Sequence, residues 1–259
     1  MIEPLLLTST PITTLWQDQV QTNATGFFYR SDADLFLVTS RHVFVDKPSN
    51  HHPDRLQIEL HTDRDNLTRS TGFSIPLYRD GMSLWRQAED GGGTVDVAAI
   101  RLDRSALPES THYRAFTARH LLDDSRSVEI GTSMLVVGFP LGFHDALHHL
   151  PVVRHAISAS SFALRFQGKG YFLTDSRTHR GTSGAAVVMR QTDVSLDGEF
   201  PWVLLGVHSS RLDVGTRDLA VDEALGLNCV WFADVLRTLT ARLDANGNDP
   251  SRGVLTANE

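Results

Sequence analysis

A chain of 259 residues, 41% hydrophobic and 21% charged, is long enough for one or two compact units with cores of their own. Its 24 basic and 31 acidic side chains give a net charge of −7. That balance lacks the basic field that nucleic acids and anionic membranes attract, so neither is expected as a partner.

The first residues, Met1-Ile2-Glu3-Pro4-Leu5-Leu6-Leu7-Thr8, hold an apolar run too short for a secretory signal, with an acid where its basic region would stand. No stretch approaches the ~18 apolar residues that span a bilayer, and a cytoplasmic protein is expected. Thr25-Gly26-Phe27-Phe28-Tyr29 and Leu35-Phe36-Leu37-Val38-Thr39 are β-prone runs split by Ser31-Asp32-Ala33-Asp34, which predicts a hairpin. Asp46 to Arg55 reads as a surface loop. Leu56-Gln57-Ile58-Glu59-Leu60 alternates like a half-buried strand, and Arg86 to Thr94 reads as a second long surface loop.

Leu107 to Glu129 is polar and strand-poor, as a linker between two units would be. Beyond it, Met134 to Gly138, Ala185 to Met189 and Trp202 to Val207 are short apolar runs bounded by Gly or Pro and fit buried strands. Trp231, Val235, Leu236, Leu239 and Leu243 recur at helical spacing, which predicts a C-terminal helix ended by Asn246-Gly247-Asn248-Asp249-Pro250. The one cysteine, Cys229, permits no internal disulfide and sits in Leu227-Asn228-Cys229-Val230-Trp231, the setting of a small buried residue rather than a nucleophile. Many short strands with Gly/Pro turns favour an all-β barrel or sandwich.

Three separated segments carry chemistry. In Leu37-Val38-Thr39-Ser40-Arg41-His42-Val43 a hydrophobic strand ends and presents a histidine, the natural general base near neutral pH. In Thr94-Val95-Asp96-Val97-Ala98-Ala99-Ile100 an acid interrupts an apolar run, and a carboxylate placed there implies a waiting donor. In Gly181-Thr182-Ser183-Gly184-Ala185 the glycines allow a sharp turn that can aim two amide groups at one point. Each is weak alone: one histidine of 12 beside a strand is usually structural, the aspartate could face water, and Gly-x-Ser-Gly is common. Gly91-Gly92-Gly93 is no phosphate loop, since the Gly-Lys-Ser/Thr ending is missing. His144, His148 and His149 could face one way on a helix, but no carboxylate or cysteine pattern completes a metal site, and a solvated loop is the plainer reading. No metal and no cofactor is expected.

Taken together, and in the order His, Asp, Ser, the segments resemble the trypsin-like serine proteases of the chymotrypsin fold. The resemblance runs from Ala24 to Asp234. Val137-Gly138-Phe139-Pro140-Leu141-Gly142, Phe172-Leu173-Thr174-Asp175 and Gly206-Val207-His208-Ser209 mark it further, and the first two resemble the disulfide-free Deg/Htr proteases, although no PDZ domain is recognisable. The resemblance implies two six-stranded antiparallel β-barrels, residues 1–115 with His42 and Asp96 and residues 116–243 with Ser183 and the terminal helix, followed by a mobile tail at 244–259. It implies Ser183 as nucleophile, His42 as general base and then acid, Asp96 as its orienting partner, and the amides of Gly181 and Ser183 as the oxyanion hole. Ser209 and Ser210 would begin the strand that pairs with substrate backbone.

Two departures matter. Thr182 stands where digestive members carry an aspartate that pairs with a newly cut N-terminus, so activation by cleavage is not expected. Arg177 stands where trypsin has the aspartate that selects basic side chains. With Thr178 and His208, which resemble residues of the glutamyl endopeptidases, it suggests cleavage after Glu, with Asp or Gln as weaker choices and Arg177 or Arg211 supplying positive charge. The leading expectation is an endopeptidase acting on a protein or peptide substrate, restrained by a regulatory partner, by a distorted resting site or by narrow specificity. The alternatives are a protease-like module that holds a peptide without cutting it and a hydrolase of small esters.

Overall fold

The computed structural model describes residues 2–122, 128–191, 200–211 and 226–242. The predicted tail at 244–259 and the residues that would end the helix lie outside them. Sixteen strands are described: β1 Ser9–Trp16, β2 Gln19–Ser31, β3 Asp34–Thr39, β4 Arg55–His61, β5 Ser70–Pro76, β6 Tyr78–Arg79, β7 Met82–Ser83, β8 Trp85–Asp90, β9 Gly93–Leu102, β10 Phe116–Thr117, β11 Ser133–Gly138, β12 Val152–Ser158, β13 Tyr171–Asp175, β14 Ala186–Arg190, β15 Trp202–Arg211 and β16 Leu227–Phe232. A short helix, α1, covers Val235–Leu239. The N-terminal strands form one antiparallel path, β5-β4-β1-β2-β3-β9-β8, with β10 added in parallel to β2 and β6-β7 as a separate ribbon. The C-terminal strands close into a six-stranded barrel, β11-β12-β13-β16-β15-β14. The architecture is the expected chymotrypsin-like one, with almost all regular structure in strands, except that of the two predicted six-stranded barrels only the C-terminal one closes among the described residues, while the N-terminal half is an eight-stranded sheet whose ladder stays open between β5 and β8.

Burial explains why the hairpin runs read as continuously apolar. Successive side chains on a strand point to opposite faces. On β2 and β3, Phe28, Leu35 and Leu37 pack into the interior of the N-terminal sheet, while Phe27, Tyr29, Phe36 and Val38 pack into a second core between the two halves. Both faces are covered, so no polar residue alternates with them. The hairpin turns at Asp32-Ala33, where Asp32 takes the left-handed φ of 51° that aspartate tolerates. The core between the halves centres on Phe116, whose ring meets Phe27 edge-on at 5.7 Å and Phe200 at 5.5 Å. A third core, with Met134, Val136, Phe172, Val187, Leu205 and Val230, fills the C-terminal barrel. Cys229 is buried as expected, and burial pushes its thiol up from the usual range.

Two expectations are corrected. Arg86 to Thr94 is not a loop: it holds most of β8, the triple-glycine turn and the start of β9. β8 is the edge of its sheet, and edge strands carry polar residues without the alternation that marks a half-buried strand. The helix does not begin at Trp231. That residue belongs to β16, opposite Tyr171 and Val207, and only Leu236 and Leu239 of the predicted stripe form the helix's fully buried face. Arg86 on β8 closes this short helix by donating to the carbonyls of Leu239 (3.2 Å) and Ala241 (2.6 Å). No helix among the described residues is long and apolar enough to cross a membrane.

Candidate active site

His42 sits on a single 3₁₀ turn, Arg41–Val43, that follows β3. The side chains after it, Val43, Phe44 and Val45, are all buried in the N-terminal core, which anchors the turn and leaves the imidazole facing out. Ser40 does not cap this turn with its side chain; its hydroxyl donates to the carbonyl of His208 at 3.0 Å and ties the turn to the C-terminal barrel.

Asp96 lies near the start of β9 between Val95 and Val97, which face the core between the halves. Alternation therefore turns Asp96 the other way, toward His42. Its carboxylate accepts three hydrogen bonds: Oδ1 from the backbone N–H of His42 (2.9 Å), Oδ2 from His42 Nδ1 (2.7 Å) and Oδ2 from the Ser209 hydroxyl (2.5 Å). The acid placed in an apolar run thus has its donors. Burial raises the Asp96 carboxyl, but the bonds and charge of His42 and the Ser209 hydroxyl outweigh it and hold the group below the usual carboxylate range. For His42, burial disfavours the imidazolium. The hydrogen bond and charge of Asp96, with a smaller contribution from Asp46, prevail and raise its pKa above the ordinary imidazole value.

Ser183 follows the turn Gly181-Thr182. Gly184 has φ of +85°, and a Cβ there would overlap the Thr39 hydroxyl and the carbonyl oxygen of Thr25 on two neighbouring strands, so only glycine fits. The Ser183 carbonyl accepts from the N–H of Thr25 (2.9 Å), and Gly184 N–H donates to the carbonyl of His208 (2.7 Å). The Ser183 hydroxyl donates to the carbonyl of Ser209 at 3.1 Å, and among the described residues no hydrogen bond joins it to His42. Ser209 thus links the constellation, with its carbonyl on Ser183 and its hydroxyl on Asp96. The sequence had assigned Ser209 to substrate backbone alone. Its neighbour Ser210 is exposed, and Arg211 ends β15 opposite Asn228 after an irregularity in the ladder.

The amide of Gly181 can be oriented from its neighbours. A trans peptide points its C=O and N–H in opposite directions. The carbonyl of Arg180 accepts from Leu141 N–H at 2.6 Å, so the N–H of Gly181 faces away from the Phe139–Gly142 turn.

The predicted specificity residues are placed differently from expectation. Arg177 is exposed and does not line a buried pocket base. Thr178 is buried, but its single proton is committed: the hydroxyl donates to Asn228 Oδ1 at 2.5 Å. It cannot also donate to a substrate carboxylate. Asn228, fully buried on β16, was not anticipated. Its amide donates to the carbonyls of Ser176 (2.8 Å) and Gly226 (2.9 Å), with that of Thr174 at 3.4 Å, which fixes Oδ1 toward Thr178. A lone asparagine in an apolar run was the only available signal for it. His208 is buried, and alternation along β15 puts its ring on the side opposite Ser209.

The histidines considered for metal lie in a turn and loop rather than on a helix. His148 pairs with Asp145 at 2.8 Å, His144 stacks on His149, and no group of three or more metal-ligating side chains occurs among the described residues.

Comparison with known proteins agrees with this picture. The fold matches that of the serine endoprotease from Yersinia pestis with a TM-score of 0.53 at 14% sequence identity. The alignment covers 89% of this chain and 60% of that one, so this chain spans less than two thirds of that structure. A search of curated proteins finds no match. The model of the trypsin-like peptidase domain matches residues 24–194, a span that holds His42, Asp96 and Ser183. The chain belongs to the trypsin-like peptidase domain family.

Proposed function

We propose that the protein is a serine endopeptidase that cleaves peptide bonds through an acyl-enzyme on Ser183. His42 serves as general base and then acid, Asp96 orients it, and the amides of Gly181 and Ser183 bind the oxyanion. The arrangement of His42 on Asp96, with Ser209 bonding both Asp96 and Ser183, carries the reading. A serine hydroxyl reaches a neighbouring imidazole by rotation about one side-chain bond, and such contacts often tighten only when substrate is bound. The second reading, a module that holds peptides without cutting them, draws on the Ser183 hydroxyl resting on Ser209 rather than on His42.

Within this reading, Gln rather than Glu is the preferred residue before the scissile bond. With its proton on Asn228, Thr178 Oγ1 presents only lone pairs elsewhere. Lone pairs repel a carboxylate and accept from an amide N–H. Of Glu, Asp and Gln before the scissile bond, Gln suits this wall best, with His208 donating to its carbonyl.

N-terminal profiling of a proteome digested with the protein and with its Ser183→Ala form tests both statements. The expected result is Ser183-dependent cleavage enriched after Gln, with Glu behind it. Thr178→Val should lower kcat/KM for Gln substrates by about tenfold or more, the cost of one buried hydrogen bond. Enrichment of Val, Ala or Leu would refute the polar pocket. Absence of any Ser183-dependent cut, together with no labelling by a fluorophosphonate, would establish the binding module instead.

The pH profile has a definite sign. The raised His42 pKa means that the imidazolium–Asp96 pair stabilises the fold fully below the unfolded value of about 6.5, and that this contribution is lost as pH rises through the folded value. Catalysis needs the neutral ring, so kcat/KM should climb over that same upper range. The acidic limb of its pH profile is expected above about 6.5, and a midpoint below that value would contradict the strong coupling to Asp96.

A further inference from the structure

Thr25 opens the apolar run of β2 and is fully buried, far in sequence from the nucleophile loop. Every polar atom it has is used. Its N–H donates to the Ser183 carbonyl (2.9 Å), and its carbonyl accepts from the Thr39 hydroxyl (2.7 Å). Its hydroxyl donates to the carbonyl of Gly181 (2.7 Å) and accepts from the N–H of Phe139 (3.0 Å). This one hydroxyl therefore joins the Phe139–Gly142 turn to the Gly181–Ser183 loop, using its proton on one and a lone pair on the other.

Gly181 is the point that needs holding. Its φ is +88°, and a Cβ would approach Phe139 O to 2.6 Å and Leu141 N to 3.0 Å, so no other residue fits. Glycine is also the residue whose backbone turns most freely. Two anchors oppose that freedom. Leu141 N–H holds the carbonyl before Gly181, and Thr25 Oγ1 holds the carbonyl after it. Because peptide groups are planar, fixing both carbonyls fixes the two dihedral angles of Gly181 and the direction of its N–H.

We infer that Thr25 is a positioning residue for the oxyanion hole: its hydroxyl, reaching across from the N-terminal half, locks Gly181 so that its amide points at the developing oxyanion. The inference rests on the endopeptidase reading of Ser183. It separates valine, which matches threonine in shape and can make neither bond, from serine, which can make both.

The test measures kcat, KM and Tm for the wild type, Thr25→Ser, Thr25→Val and Thr25→Ala on a fluorogenic peptide chosen from the cleavage profile. Loss of one oxyanion donor costs about 10²-fold in kcat or more. Thr25→Val is expected to lose about that much in kcat with KM nearly unchanged, whereas Thr25→Ser keeps kcat within about threefold of wild type. If the valine variant does not fold, Thr25→Ala carries the same expectation. Retention of kcat in the valine or alanine variant overturns the inference. So does a loss carried by KM, or a folded Thr25→Ser as impaired as valine. A wild type with no Ser183-dependent turnover removes the endopeptidase reading and this inference with it. A wild type that turns over while Thr25→Val matches it removes this inference alone.

Discussion

Ser183→Ala is expected to lower kcat by several orders of magnitude, up to roughly 10⁶, and His42→Ala by a similar factor. The double variant should be little worse than either, because nucleophile and base act in one step and removing one leaves the other nothing to do. Neither loss should come from unfolding. Ser183 contributes a single hydrogen bond to the Ser209 carbonyl, worth about 1 kcal/mol. In His42→Ala the Asp96 carboxylate keeps two of its three donors, the backbone N–H at residue 42 and the Ser209 hydroxyl. Ser183→Ala should therefore melt close to the wild type, and His42→Ala should do so at a pH above the raised folded pKa of His42, where the imidazolium–Asp96 pair no longer contributes, while both fail to turn over. A Ser183→Ala protein that retained more than a tenth of the activity would remove Ser183 from the chemistry.

The same geometry shows which parts of the molecule the sequence discloses. The second half of β2, together with β3, β11 and β14, is legible because it is buried on both faces and reads as an apolar run. β1 escapes detection for a physical reason. Thr10 and Thr14 are buried, yet they look polar, because their hydroxyls bond to the backbone carbonyls of Glu59 (2.8 Å) and Thr22 (3.2 Å). A buried threonine whose hydroxyl bonds to a neighbouring carbonyl is apolar in effect and polar in composition. β5 and β12 fail differently, since most of their residues are only half-buried or exposed and present no continuous run.

At the site, the segments that hold His42, Asp96 and Ser183 are visible as residue types in unlikely settings: an acid among valines, a serine between glycines. The direction of side chains is not. Thr178 and Arg177 are adjacent, yet one turns inward to Asn228 and the other lies in water. Ser209 looks like any serine at a strand end, and only the fold brings it against Asp96. Spacing locates such residues; the register of β15 against β14 and β16 decides what they touch.

Asp96→Asn isolates the electrostatic and tautomeric role of the carboxylate, and it is expected to lower kcat by roughly 10⁴ while the protein still folds. The argument turns on which asparagine atom replaces which oxygen. Asp96 Oδ1 receives the backbone N–H of His42, a donor that cannot reverse. The asparagine carbonyl must therefore take that position, and its NH₂ is forced into the place of Oδ2, facing His42 Nδ1 and the Ser209 hydroxyl. The hydroxyl can rotate and accept. The imidazole can comply only by giving up its Nδ1 proton, which moves the proton to Nε2 and leaves no lone pair there to take a proton from Ser183. The negative charge that raises the His42 pKa disappears as well, so the residual activity should show its acidic limb at lower pH than the wild type. Raising the pH should not restore the rate, because deprotonating the ring does not change the tautomer that the asparagine imposes. A variant that recovered wild-type kcat at alkaline pH would show that Asp96 acts by charge alone, and one with an unchanged acidic limb would show that it does not govern the titration of His42.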